Sequence, residues 1–374
     1  MAHAEPGPVL DRRTLNRTLL LRQGLLRRSR RSIPATIESL VGLQAQEPGD
    51  PYVALWSRLE AFEPEGLGRL LTERRAVRMG LMRTTLHLVT DRDALAIYPV
   101  MADVLRRAFR SSPFAKALTG VDLSAVIEAS RAIVEAEPVT PAELGRRLVA
   151  QWPDREPTAL GYVARFLLPL VQVPPRAVWG KTGRPMNTTL EAWLGQPLGD
   201  GSIDDVVRRY LAAFGPATVA DIRIWSWRTG LREVVERLRP ELRTFRDETG
   251  RELFDIEDGP MGDPDVSAPV RFLPQYDNIF LSHDDRSRIL VERMTVPDLI
   301  WRGGVLVDGF VSGAWRIRRE KRHATMTIEL VTKATPAQRH EIEDEATRLF
   351  AFLHADADSR DVRIVDATWL APPA

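Results

Sequence analysis

The chain has 374 residues, 44% hydrophobic and 28% charged, with a net charge of +1. This composition supplies a core and excludes disorder along most of the chain, and the length suggests about two to four units of roughly 100–200 residues each. The absence of cysteine excludes disulfides, iron–sulfur clusters and thiol catalysis, and no run approaches the roughly 18–20 apolar residues that a membrane helix needs.

The opening segment MAHAEPGPVLDRR has no apolar run of the secretory kind, so a cytoplasmic location is expected. Residues 11–31 carry eight Arg and one Asp. Leu15, Leu19 and Leu26 fall at helical spacing, so one face can dock on a core while Arg12, Arg13, Arg17, Arg22, Arg27, Arg28, Arg30 and Arg31 stud the rest. Such a run is either a solvated face or a phosphate-facing surface. Ser32 reads as an N-cap and Pro34 as a first-turn residue of a helix running to about Leu43. The stretch from Gln44 to Pro51 is not helical. Helices are expected near 51–60 and 65–74, two β-like runs over 76–90 joined near Arg83, and a long helix over about 91–110. Helices followed by a short hairpin are the outline of a winged-helix unit.

The outline recurs. A helix over 138–152, capped by Thr140, and a second over 155–170 precede a hairpin with a basic tip over 171–190. It recurs again as helices over 214–226 and 229–242 and a hairpin over 242–256 that turns at Glu248-Thr249-Gly250. The parallel openings PVTPAEL and PATVADI support an internal repeat. Residues 257–270, rich in Pro, Gly and Asp, mark a linker. Beyond it the chain is β-rich, with candidate turns at Asp308-Gly309 and Ser312-Gly313, one helix over 336–353 and a last strand over 361–366. The expected class is α+β: three tandem winged-helix units, divided as 1–115, 116–198 and 199–258, and a C-terminal β-barrel-like domain over 259–374.

Several site signatures are absent. Gly180-Lys181-Thr182 resembles the end of a phosphate loop, but the first glycine would fall at position 175, which is Pro175. The six histidines have no metal-ligand spacing, and neither metal nor cofactor is expected. What remains is Gln44-Ala45-Gln46, by itself only two polar residues in a loop. Set among LNRTLLLRQGLL, GLQAQEP, MRTTLHLV, VPPRAVWGKTG, YLAAFGPAT, RFLPQYDN and VLVDGFVSGAW, it makes the chain resemble the AlkZ-type DNA glycosylases, also described as winged-helix DNA-binding domain proteins. The resemblance covers about residues 10–317. It implies three winged helices and a β-domain around a concave basic DNA-binding channel. It also implies catalysis by a Gln, aliphatic, Gln signature, here Gln44 and Gln46; a sister branch has Asp at the second position. The implied substrate is double-stranded DNA carrying alkylated purines, including the bulky adducts met in self-resistance to alkylating natural products.

The chemistry suits such residues. A carboxamide only donates and accepts hydrogen bonds, so the leaving group must already be activated, as a cationic N7- or N3-alkylpurine is. The protein then has to hold a water and favour oxocarbenium character by orientation and fixed dipoles. If Gln44 and Gln46 hold one water, residues 44–46 must be extended, since residues two apart share a face only in a strand. Pro48 favours that geometry. No lysine lies near the motif in sequence, so a Schiff-base lyase step is not expected. Candidate DNA contacts are Arg27, Arg28, Arg30 and Arg31, Arg83 in the first hairpin, Arg176, Lys181 and Arg184 in the second, and Arg316 and Arg318 in the C-terminal hairpin, where Trp315 is either core or a stacking residue. A monomer is expected. The alternative is a winged-helix transcription regulator without catalysis. The sequence names neither the lesion nor whether the base is flipped.

Overall fold

The computed structural model describes residues 7–292 and 294–367. Strand β1 (Val9–Leu10) leads into helix α1 (Arg12–Arg22), whose first turn is capped by the Asp11 carboxylate accepting from the Thr14 amide at 2.7 Å. Gly24, at φ +66°, lies just beyond its end. The helix is therefore shorter than the leucine spacing suggested, and Leu26 lies outside it. Helix α2 (Ile33–Ser39) starts from the Ser32 hydroxyl as expected. There follow β2 (Leu43–Gln44), α3 (Asp50–Arg58), α4 (Pro64–Thr72), the hairpin strands β3 (Ala76–Gly80) and β4 (Leu86–Thr90), and the long α5 (Asp91–Arg110).

A second series comprises α6 (Pro113–Ala117), α7 (Leu123–Ala136), α8 (Pro141–Leu148), α9 (Pro157–Leu167), β5 (Leu170–Gln172), β6 (Asn187–Thr189) and α10 (Leu190–Leu194). A third comprises α11 (Ile203–Phe214), α12 (Val219–Ser226), α13 (Leu231–Leu238), β7 (Leu242–Asp247) and β8 (Glu252–Ile256). Helices α7 and α11 were not anticipated; each precedes a predicted pair of helices and a hairpin. The C-terminal part holds β9 (Arg271–Leu273), α14 (Asn278–Leu281), β10 (Gly303–Val307), β11 (Phe310–Glu320), β12 (His323–Leu330), α15 (Pro336–Leu353) and β13 (Ser359–Asp366).

The strands form three sheets. The first two hairpins merge into one, ordered β2-β4-β3-β5-β6, in which Arg78 pairs with Gln172 and Met79 with Val171 across the expected boundary at 115/116. The third hairpin takes β1 as a parallel edge strand. The C-terminal sheet, ordered β13-β12-β11-β10-β9, is open rather than a closed barrel among the described residues. Its last pair is parallel, with α15 as the crossover between β12 and β13. The turn expected at Asp308-Gly309 joins β10 to β11, with both residues at positive φ. Ser312-Gly313 is not a turn: Gly313 sits inside β11, where an added Cβ would meet the Glu329 carbonyl oxygen at 2.6 Å. Close strand approach, not chain reversal, requires that glycine.

The largest core cluster runs from Leu19 and Leu20 of α1 through Tyr210, Phe214 and Trp225 to Phe280 and Val311. It joins helix α1 to the third hairpin and to strands β10 and β11. No described helix is long and apolar enough to cross a membrane.

Candidate active site at the Gln44–Gln46 segment

Strand β2 pairs antiparallel with β4, Leu43 opposite Leu88 and Gln44 opposite His87. The next residue continues the ladder: the Ala45 amide donates to the Leu86 carbonyl at 2.8 Å. The chain through residues 43–45 is thus held in strand register, the geometry anticipated for Gln44 and Ala45, while Gln46 lies in the bend that follows rather than in extended chain. Asn278, at the start of α14, clamps it from the other side. Its Oδ1 accepts from the Gln44 amide at 3.4 Å and its Nδ2 donates to the Gly42 carbonyl at 2.7 Å. Neighbouring Asp277 forms a fully buried bidentate pair with Arg58, at 2.7 and 2.8 Å. The LPQYDN stretch is therefore the back wall of the motif.

Gln44 is buried, and its Oε1 accepts from Arg83 Nη2 at 2.7 Å. Arg83, at φ +55° in the turn between β3 and β4, also donates to the Trp225 carbonyl at 2.6 Å. An arginine only donates, so the Gln44 amide oxygen must face it, leaving the NH2 turned away. Burial, with the Arg83 charge adding to it, holds His87 neutral, down to about 3. Its Nε2 lies 3.4 Å from Arg83 and its Nδ1 3.0 Å from the Thr85 carbonyl, so the proton sits on Nδ1. Burial lowers Arg83 itself to about 10.

Gln46 is half-buried and lines a cavity of about 270 Å³ between the merged sheet and helices α7–α9. Arg78 links the motif to that cavity. It is fully buried, donating from Nη2 to the Ala45 carbonyl at 2.6 Å and from Nη1 to Gln172 Oε1, a cavity-lining group, at 2.8 Å. Burial and the nearby Arg176 charge lower Arg78 to about 10, opposed by Glu47. Just past the motif, burial first and then Glu47 raise Asp50 to about 8, so its carboxyl is protonated at neutral pH. No group of side chains among the described residues could hold a metal ion. The arrangement fixes the Gln44 carboxamide with the Arg83 donor and leaves the Gln46 carboxamide facing the cavity.

The family described as DNA glycosylase AlkZ-like matches residues 37–352. The chain belongs to that AlkZ-like family. The family makes the chain an enzyme of DNA repair, a hydrolase acting on N-glycosyl bonds. An interstrand DNA cross-link repair glycosylase of Streptomyces sahachiroi is 25% identical over 321 residues, 79% of this chain and 85% of that protein. The solved structure of the Streptomyces sahachiroi DNA glycosylase AlkZ superimposes with a TM-score of 0.75 over 96% of this chain and all of that one, at 23% identity.

The basic residues of the glycosylase do not share one fate. Arg27, Arg31, Lys181 and Arg184 are exposed, with no carboxylate contact among the described residues. Arg27 and Arg31 line a groove of about 840 Å³ with Arg28 and Arg30. Arg30 is exposed but paired with Glu60 at 2.7 Å. Arg28 lies over the Trp56 ring and pairs with buried Glu345 at 2.6 Å, a structural setting. Arg83 is inside the protein rather than on a phosphate-facing surface, because Gln44 and the Trp225 carbonyl need its donors. Arg176 lines the cavity that Gln46 lines. Arg316 and Arg318 are exposed on β11 beside Glu329 and Glu320. Trp315 is core, 8% exposed, with Nε1 donating to the Leu273 carbonyl at 2.9 Å.

Sequence reading missed Arg78, His87, Gln172 and Asn278. Asn278 falls in the quoted RFLPQYDN segment and could have been found there. Arg78 carried no local signal, since it is one arginine among 48.

Proposed function

We propose that this glycosylase hydrolyses the C1′–N9 bond of cationic alkylpurines of the N7-alkylguanine type in double-stranded DNA, acting as a cytoplasmic monomer. The observation that carries the reading is the unequal pair of glutamines. Gln44 is pinned by Arg83, whereas the Gln46 carboxamide makes no internal hydrogen bond among the described residues and opens on the cavity. Together they can hold a water without deprotonating it strongly. The C1′–N9 electron pair leaves with the cationic purine, which becomes neutral; the water oxygen bonds to C1′ and its proton passes to solvent. An unmodified guanine lacks the positive charge and stays attached, so selectivity follows in part from the weakness of the catalyst.

The three helix–hairpin groups are read as winged-helix units around a concave channel, divided near 115, 198 and 258. Exposed Arg27, Arg31, Lys181 and Arg184 supply the phosphate contacts, and Arg316 and Arg318 approach the flanking DNA. The relative's cross-link activity extends the proposed substrates to bulky adducts and interstrand crosslinks. A non-catalytic regulator is not favoured, since such proteins usually pair one recognition helix with a dimer or ligand domain.

The test is single-turnover base release from DNA carrying one N7-methylguanine. Gln44→Ala and Gln46→Ala should each lower the rate about 10²–10⁴-fold with lesion binding retained. Parent rates in the double variant would remove the pair from the mechanism.

A further inference from the structure

The Gln46 cavity has a composition that the motif alone does not explain. Its walls are apolar, from Leu86, Leu105, Val134, Leu144 and Phe166, and its polar groups are few: Gln46, Gln172, Asn187, Arg165 and Arg176 among them. No carboxylate lines it among the described residues. The volume of about 270 Å³ suits an occupant the size of one fused bicyclic heterocycle. It falls just below the roughly 300–1,000 Å³ of sites for larger ligands. One polar atom points to an occupant: Arg176 Nε is buried and has no hydrogen-bond partner, although its Nη1 donates to the Gly183 carbonyl at 3.1 Å. A buried unpartnered donor costs about 1–3 kcal/mol unless a ligand acceptor meets it.

We infer that this cavity receives the departing purine of a small monoadduct, as a neutral planar base drawn out of the helix, with Arg176 donating to an acceptor on its edge. The inference rests on the proposed glycosylase reading and adds to it where the base goes. The sign of the charge supports the timing. Two guanidinium groups disfavour a cationic alkylpurine, and they favour the same ring once the C1′–N9 electron pair has neutralised it. The cavity then binds the product of bond cleavage better than the substrate base, and such a difference in binding assists the step. Apart from Arg165 on α9, the named polar positions belong to the motif and the second hairpin, which merge in one sheet. That merger places Gln172 and Arg176 beside Gln46.

Gly80 gives a clean probe. It ends β3, and an added Cβ would meet only the Leu105 side chain, at an ordinary 3.8 Å. A β-branched residue suits a strand, so Gly80→Val narrows the cavity from a position whose Cβ has room.

The experiment uses the full chain with free 7-methylguanine, followed by thermal shift and by inhibition of N7-methylguanine excision. The parent should be stabilised and inhibited by the free base. Gly80→Val should abolish both effects and excision. Arg176→Gln should weaken base binding by about tenfold while the salt dependence of DNA binding stays at the parent slope. Failure of 7-methylguanine to stabilise the parent overturns the inference, as does stabilisation by inorganic phosphate instead, or a reduced salt slope in Arg176→Gln. So does a Gly80→Val protein that excises N7-methylguanine at the parent rate and loses only adducts with a large aromatic arm, because the cavity would then hold the arm. A parent that excises no N7-methylguanine yet binds the free base refutes the proposed lesion class and leaves the cavity assignment standing.

Discussion

Two regions of this glycosylase that were both expected to present basic side chains differ in what their charges do. In α1, all four arginines reach residues that follow 250. Arg22 is sealed against Asp255 at 2.6 and 2.7 Å, and Arg17 and Arg13 share Asp308. Arg12 donates to the Ser287 and Leu290 carbonyls and lies over Phe310. This helix clasps the N-terminal part to the third hairpin and the C-terminal sheet. In the segment between β5 and β6, by contrast, Lys181 and Arg184 stand in solvent without a carboxylate, and Arg176 turns inward to the cavity. Density of charge in the sequence therefore says little about which charges remain for DNA; the location of the acids decides it.

The largest contrast is expected in stability. Arg22→Ala leaves the buried Asp255 carboxylate with Arg243 as its remaining ion-pair partner, at 2.9 Å, and should cost about 3 kcal/mol, the low end for a broken buried pair, read as a lowered unfolding midpoint. Lys181→Ala and Arg184→Ala should leave that midpoint within experimental error. Comparable losses in both regions would break the comparison.

Arg83 sharpens it from a third position, buried like Arg22 yet tied to the motif. Arg83→Lys keeps a charge but loses the two-pronged link between Gln44 and Trp225. Excision should fall about 10–100-fold, with the salt dependence of DNA binding unchanged. A reduced salt slope would return Arg83 to the DNA surface.

The pH dependence of stability reports on the motif's acidic side. The raised Asp50 carboxyl contributes stability in full below its unfolded value near 3.8, and that contribution is lost as pH rises through about 8. Melting temperature should therefore fall between pH 5 and 8.5 more steeply in the parent than in Asp50→Asn. Parallel curves would mean that Asp50 is ionised in the folded protein.

The smallest effect belongs to the exposed loop. Lys181→Gln and Arg184→Gln should each reduce the slope of log K against log salt by about one unit, while Arg28→Gln, which loses a structural pair, should leave the slope alone. Equal slopes for all three would show that the loop is a solvated surface.

The local order of elements was legible in the sequence where its causes are local. Ser32 and Thr140 cap the helices they precede, the third hairpin turns at residues 248–250, and α5 and α15 fall on the expected 91–110 and 336–353. The extended run at Gln44 and Ala45 was also legible, because Pro48 and a resemblance spread over most of the chain both point to it, whereas the bend at Gln46 was not expected. Helices α7 and α11 escaped for want of a start signal as plain as a Thr-Pro pair.

What only the tertiary structure decided depends on partners far apart in the chain. Asn278 meets Gln44 across 234 positions and Arg22 meets Asp255 across 233. No window of sequence contains both members, so no periodicity or spacing could assign Arg22 to the interior and leave Lys181 outside. The same holds for the cavity. Two hairpins that read as separate wings share one sheet because β3 has an open edge and β5 supplies the hydrogen bonds it lacks. That pairing, a property of the folded chain, is what sets Gln46, Gln172 and Arg176 around one space.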